Sequence, residues 1–198
     1  MKDIDQRIGE VVEASTAGFT VQCYELYGFP PLGSLVKCPD GEQTVIAVTA
    51  NAATTSLEPG RRPIARGYSA RSEQDIMKAH PQLGHLLKSQ FEAMVVGFLD
   101  ANGAHQYLPA GPLRLHSFIY PCDTADVVNF SQCLDFLLLL AGGSSVIPAE
   151  ELLAACVRQV SLAHSDANGF ITRAARNLAE YFSNDYLRLR NILKRLAL

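Results

Sequence analysis

Three arginines sit close together in the stretch LEPGRRPIARG at 57–67: Arg61, Arg62 and Arg66. A guanidinium is a planar fork that stays charged and pairs a carboxylate or a phosphate through two parallel hydrogen bonds. Pro59, Gly60, Pro63 and Gly67 keep these side chains off regular structure and give the loop a shape set by the prolines. Three readings compete. The loop is a solvated connector, with Glu58 or Glu73 as counter-ion, or a surface that pairs acidic groups on a partner protein, or a contact for phosphate or nucleic acid. Three arginines without interleaved aromatic residues make a thin footprint for the last. A second basic group lies towards the C-terminus: Arg188, Lys194 and Arg195 on the amphipathic stretch NDYLRLRNILKRLAL, reinforced by Arg173 and Arg176. It is read as a docked terminal helix with cations near its negative end. A partner-binding helix and a nucleic-acid contact are the competing readings.

Other chemistry is sparse. His80, His85, His105, His116 and His164 are scattered, and His80 and His85 are separated by a proline where a shared metal would favour an i, i+4 pair on one helical face. The five cysteines, Cys23, Cys38, Cys122, Cys133 and Cys156, form no CxxC pair and are read as reduced thiols of a cytosolic protein. Ser15, Ser34 and Ser117 lack the GxSxG elbow of a hydrolase nucleophile. Glu10, Glu13, Asp40 and Glu42 fit strand edges and turns. No metal, no cofactor and no catalytic residue is expected.

The elements that must position these groups change character along the chain. Its 198 residues, 48% hydrophobic and 19% charged, suit a globular protein with a real core. A net charge of −3 exerts no overall pull on nucleic acid or anionic membranes, so a basic site must be local. The first ten residues lack the apolar core of a signal peptide. The apolar run LDFLLLLA at 134–141 is far short of the roughly 20 residues that cross a bilayer. Short strands are expected at 8–12, 19–26, 34–38 and 44–51, with turn residues between them, then near 91–100 and 117–121. A strand containing Tyr107 is expected to return after the Ala101-Asn102-Gly103 reversal. Helices are predicted over 72–78, capped by Ser72, and 82–89, and then throughout the C-terminal part. There Asp123 or Thr124 begins one, Gly142-Gly143 ends another and Pro148 opens a third. The last two span about 168–182 and 185–196. The fold class is therefore α+β, with three parts: a barrel at 1–70, a helix-and-hairpin segment at 71–122 and a helical region at 123–198.

Two stretches carry a family likeness. Ile8-Gly9-Glu10-Val11 begins a strand that is followed by an outward loop, and Gly33-Ser34-Leu35-Val36 opens a later one. HPQLGHLLKSQFEAMVVGFLDANG places a P-Q-L helix before a strand ending near Val96-Gly97. Together they resemble the HAS-barrel, the small β-barrel of HerA-type translocases and of the F-type ATP synthase α and β subunits, over residues 7–121. The likeness implies a barrel that packs beside neighbours in a ring, with a ring ATPase or a like subunit as partner, or a homo-oligomer. The chain departs from that pattern where the motor would be: no Gly-Lys dipeptide occurs, so there is no GxxxxGK[ST] phosphate loop. Gly142-Gly-Ser-Ser145 lacks the lysine and follows a helical run, so it is read as a helix end and loop. The expectation is a cytoplasmic, non-catalytic interaction or assembly module, with Arg61, Arg62 and Arg66 facing the partner.

Overall fold

The computed structural model describes residues 6–58, 60, 62–143 and 146–196. Pro59, Arg61, Ser144 and Ser145 thus lie outside the described residues.

Strands β1 (Gly9–Ala14), β2 (Gly18–Cys23), β3 (Leu35–Asp40) and β4 (Gln43–Ser56) come first. Helices α1 (Glu73–Ala79) and α2 (Leu83–Leu86) follow, then β5 (Leu87–Asp100), β6 (Gly103–His105) and β7 (Phe118–Pro121). The C-terminal part holds α3 (Thr124–Phe130), α4 (Phe136–Gly142), α5 (Ala149–Ser161), α6 (Ala167–Tyr181) and α7 (Tyr186–Leu196). The architecture is mixed α+β. Six strands close into an antiparallel barrel in the ring order β1, β2, β5, β4, β3, β7 and back to β1, while β6 extends β5 as a short hairpin. The barrel is not complete within residues 1–70, because it takes β5 and β7 from the segment beyond.

Period-two alternation sorts the side chains into two cores. Val11, Val21, Val36, Cys38, Val45, Ala47, Phe91, Val95 and Ile119 fill the barrel, joined by Leu113 from the β6–β7 connection. The alternate residues Leu35, Ile46, Val48 and Val96 point outwards and are buried too, under Phe130, Leu137, Leu140, Leu153 and Leu178 of the helices. Strands covered on both faces carry near-continuous apolar runs, which is why VIAVTA at 45–50 is buried throughout. Gly33 makes this close packing possible. Its φ is +84°, and a Cβ there would fall on the Ala155–Cys156 peptide of α5.

The local signals mostly act where the chemistry places them. Ser72 caps α1 by accepting from the Asp75 N–H. Asp123 and Asp126 form a reciprocal capping box on α3. Three boundaries differ from the sequence reading. The helix expected to run to residue 89 stops at Leu86, because Leu87, Lys88 and Ser89 pair with Ser56, Thr55 and Thr54 across the β4–β5 hairpin. The return strand after residue 103 is only β6, and Tyr107 lies beyond it. The strand expected to end at 38 runs on to Asp40: Pro39 and Asp40 stay in β3, and Gly41, with φ +65°, makes the reversal with Glu42. Proline is tolerated there because the β3–β7 pairing has already ended at Lys37, which leaves that flank of the strand open.

Among the described residues no helix is long and apolar enough to cross a membrane.

Candidate interaction site

Strands β4 and β5 project beyond the barrel as a long ribbon, closed by the Leu57 N–H on the Leu86 carbonyl at 2.8 Å. Between these two residues the chain makes an excursion, 57–86, in which no described residue is buried. Its order is local. Ser72 caps α1, Ile76 lies against Gly67, and the α1 C-terminus is closed by the His80 N–H on the Ile76 carbonyl at 2.9 Å. Arg62 and Arg66 are both exposed, and among the described residues neither takes part in an ion pair. They line a cleft with Ser56, Ile64, Leu83 and Leu86. Ile64 is 71% exposed and Tyr68 fully so, which places large apolar side chains in water beside two cations. Arg61 lies outside the described residues. An arm of this composition can make charge-assisted hydrogen bonds and bury apolar area against a partner.

The C-terminal basic group is spread differently. Arg188 pairs with Glu150, donates to the Ala141 carbonyl at 3.2 Å and lies 5.0 Å over the Phe182 ring. Arg195 pairs with Glu151 and donates to the Asn191 carbonyl at 2.7 Å. These contacts lock α7 onto the start of α5. The Glu150 carboxyl is held below the usual carboxylate range by its own backbone N–H and then by Arg188. Arg173 donates to the Ser131 carbonyl at 2.9 Å and so closes the end of α3. Arg176 and Lys194 are exposed. Three of the five cations in this group therefore hold helices together.

The fold also brings together groups that spacing alone did not connect. Ser131 and His164 meet at 2.8 Å across 33 positions. The Ser131 hydroxyl is fully buried and donates to the Val127 carbonyl at 2.7 Å, so it accepts from His164 Nε2. A nucleophilic serine needs the opposite polarity, donating its proton to the imidazole. Burial, and then Arg173, depress the His164 pKa, which keeps the ring neutral and suited to this role. His105 Nε2–H donates to the Asp100 carboxylate at 2.9 Å, and the ring stacks on Phe98 at 4.7 Å. His116 meets Glu10 at 2.9 Å, and Tyr24 donates to the other Glu10 oxygen at 2.7 Å. Those two hydrogen bonds, Tyr24 first, hold Glu10 below its ordinary range. The Ser131 pair ties the end of α3 to the segment after α5, the Glu10 pair ties the β6–β7 connection to β1, and the Asp100 pair closes the β5–β6 hairpin.

Among the described residues no group of three or more His, Cys, Asp or Glu is placed to hold a metal ion. All five cysteines are free. Burial raises Cys23 and Cys38 in the barrel to about 11 and Cys156 under the helices to about 12, which keeps these thiols protonated. Comparison with known proteins finds no family model that matches the chain and no match among curated proteins.

Proposed function

We propose that this protein is a non-catalytic interaction or assembly module that engages a partner protein through the arm at 57–86. The observation that carries the reading is the combination in that arm. Thirty positions contribute no described residue to either core, yet they display Ile64 and Tyr68 beside Arg62 and Arg66. Exposed aromatic and apolar side chains next to arginines have the composition of contact surfaces. A closed antiparallel barrel supports the likeness to HAS-barrel proteins. On this reading the partner is a ring ATPase or a like subunit, the protein acts in the cytoplasm, and acidic groups on the partner meet the arginines.

The test is a tagged pull-down from native lysate, with and without nuclease, using wild-type protein and the double variant Arg62→Glu, Arg66→Glu. A protein retained through nuclease treatment and lost by the variant supports the arm. A retained protein that the variant holds equally well removes the arm from the reading. Recovery that vanishes with nuclease transfers the activity to nucleic acid and the exposed cations Arg176 and Lys194.

A further inference from the structure

β4 is 14 residues long, but β3 accompanies only its first part. The last backbone bonds on that flank are Gly33 N–H to the Thr49 carbonyl at 2.9 Å and Thr49 N–H to the Ser34 carbonyl at 3.0 Å. After the irregularity between Thr49 and Asn51, β4 continues with β5 alone. The Leu57–Leu86 bond fixes the alternation of this ladder: Asn51, Ala53 and Thr55 bond to β5, so Ala52, Thr54 and Ser56 turn their N–H and C=O groups to the open flank. Among the described residues no backbone hydrogen bond reaches them there.

Natural sheets blunt such an edge with charge, proline or brevity. Where β3 is open it carries Pro39 and Asp40, the open end of β5 carries Lys88, and β6 is three residues long. The sequence of β4, QTVIAVTANAATTS, has neither a charge nor a proline. Its outer segment, NAATTS, therefore presents an edge with neither of the side-chain types that block pairing with another strand.

Both ends of this edge offer specific contacts. At the Ala52 end, Phe29, Pro30, Pro31 and Leu32 line an apolar groove with Thr49, whose buried hydroxyl has no hydrogen-bond partner among the described residues. At the Ser56 end lie Arg62, Arg66 and Ile64. Glu58 in the same cleft is already engaged. The two ends are about 13 Å apart along the strand.

We propose that the open edge of β4 at Asn51–Ser56 docks an extended segment of the partner protein as an added antiparallel strand, with acidic side chains at its N-terminal end and an apolar side chain at its C-terminal end. The backbone groups of Ala52, Thr54 and Ser56 supply affinity, the arginines read the acidic end, and the Phe29–Leu32 groove receives the apolar one. Charge complementarity selects this occupant. The inference rests on the arm reading above and specifies what the arm recognises.

The probe is the synthetic peptide acetyl-Asp-Glu-Val-Thr-Val-Thr-Leu-amide, titrated by fluorescence anisotropy. Amide hydrogen exchange of the wild-type protein is followed by NMR in the same samples. Binding is expected to weaken at least tenfold with Ala52→Pro, which removes an outward N–H and leaves the β5 ladder bonded, and with the peptide N-methylated at alternate residues. Exchange at Ala52, Thr54 and Ser56 is expected to slow at least tenfold on saturation in the wild type, where folding is not in question. Absence of binding, or unchanged exchange at these amides, overturns the proposal. Binding that survives Ala52→Pro and N-methylation but falls with Arg62→Glu, Arg66→Glu removes the edge and leaves the arm reading intact. Binding that falls with Ala52→Pro but ignores the charge reversal overturns the acidic occupant and counts against the arginines. A peptide-free dimer in sedimentation that Ala52→Pro dissolves assigns the edge to a second copy and overturns the peptide.

Discussion

The body formed by barrel and helices differs from the arm at 57–86 in where its apolar residues go. Ile46, Val48 and Val96 leave the barrel wall and enter a core shared with Phe130, Leu137 and Leu153, so one sheet belongs to two cores at once. Ile64, Tyr68, Met77 and Leu86 in the arm have similar chemistry and are exposed. Amino-acid type is therefore a poor guide to which segment supports the fold. Position relative to the ring decides it: the body holds both cores, and no described residue of the arm belongs to either.

The largest expected effect is in the body. Phe130 is fully buried, lies against Phe136 with ring centroids 5.4 Å apart, and sits under Gly97 of β5. Phe130→Ala should lower the unfolding free energy by about 3–5 kcal/mol, measured by urea denaturation. A loss near that of a surface substitution would show that the helices are only loosely attached, and the contrast between body and arm would fail. A second effect concerns pH. His164 has a depressed pKa in the folded chain against an ordinary 6.5, so the unfolded chain takes up its proton first as pH falls. Its contribution is fully present above 6.5 and declines as pH falls below it towards the folded value. The urea midpoint should therefore drop across that interval, and His164→Asn should flatten that part of the slope. The smallest expected effect belongs to the arm. Joining Thr55 to Lys88 through Asn-Gly preserves their hydrogen-bonded pair in the hairpin and removes the whole excursion. Stability should stay within about 1 kcal/mol of the wild type, since no described core residue is lost. Unfolding of this shortened protein would make the arm part of the body after all.

The sequence made some of this legible and concealed the rest for physical reasons. Ser72, Asp123 and Gly142-Gly143 act through neighbours within a turn or two, so the helix ends they set can be read directly. The strands of the first half announce themselves by alternation, and the unbroken burial of 45–50 marks a strand covered on two faces. Ring closure is invisible in that way. β7 belongs between β1 and β3, and β5 beside β2, through pairings that no local pattern encodes. Leu87 to Ser89 satisfy a helical pattern as well as a strand, and the waiting edge of β4 overrides it. The Ser131–His164 contact and the anchoring of Arg188 and Arg195 likewise depend on helices meeting in space. The arginines of the arm were visible as a group, but their surroundings were not, because the exposed Ile64 and Tyr68 look like core residues on paper.

The insertion of β7 between β1 and β3 also sets a timetable for synthesis. β1 ends at residue 14 and its second neighbour begins at residue 118. At typical translation rates this interval takes about 5–20 s. Throughout it the ring is open, with β1 and β3 each lacking a neighbour on one side. A chain cut short before β7 therefore presents two strand edges whose backbone groups have no neighbour.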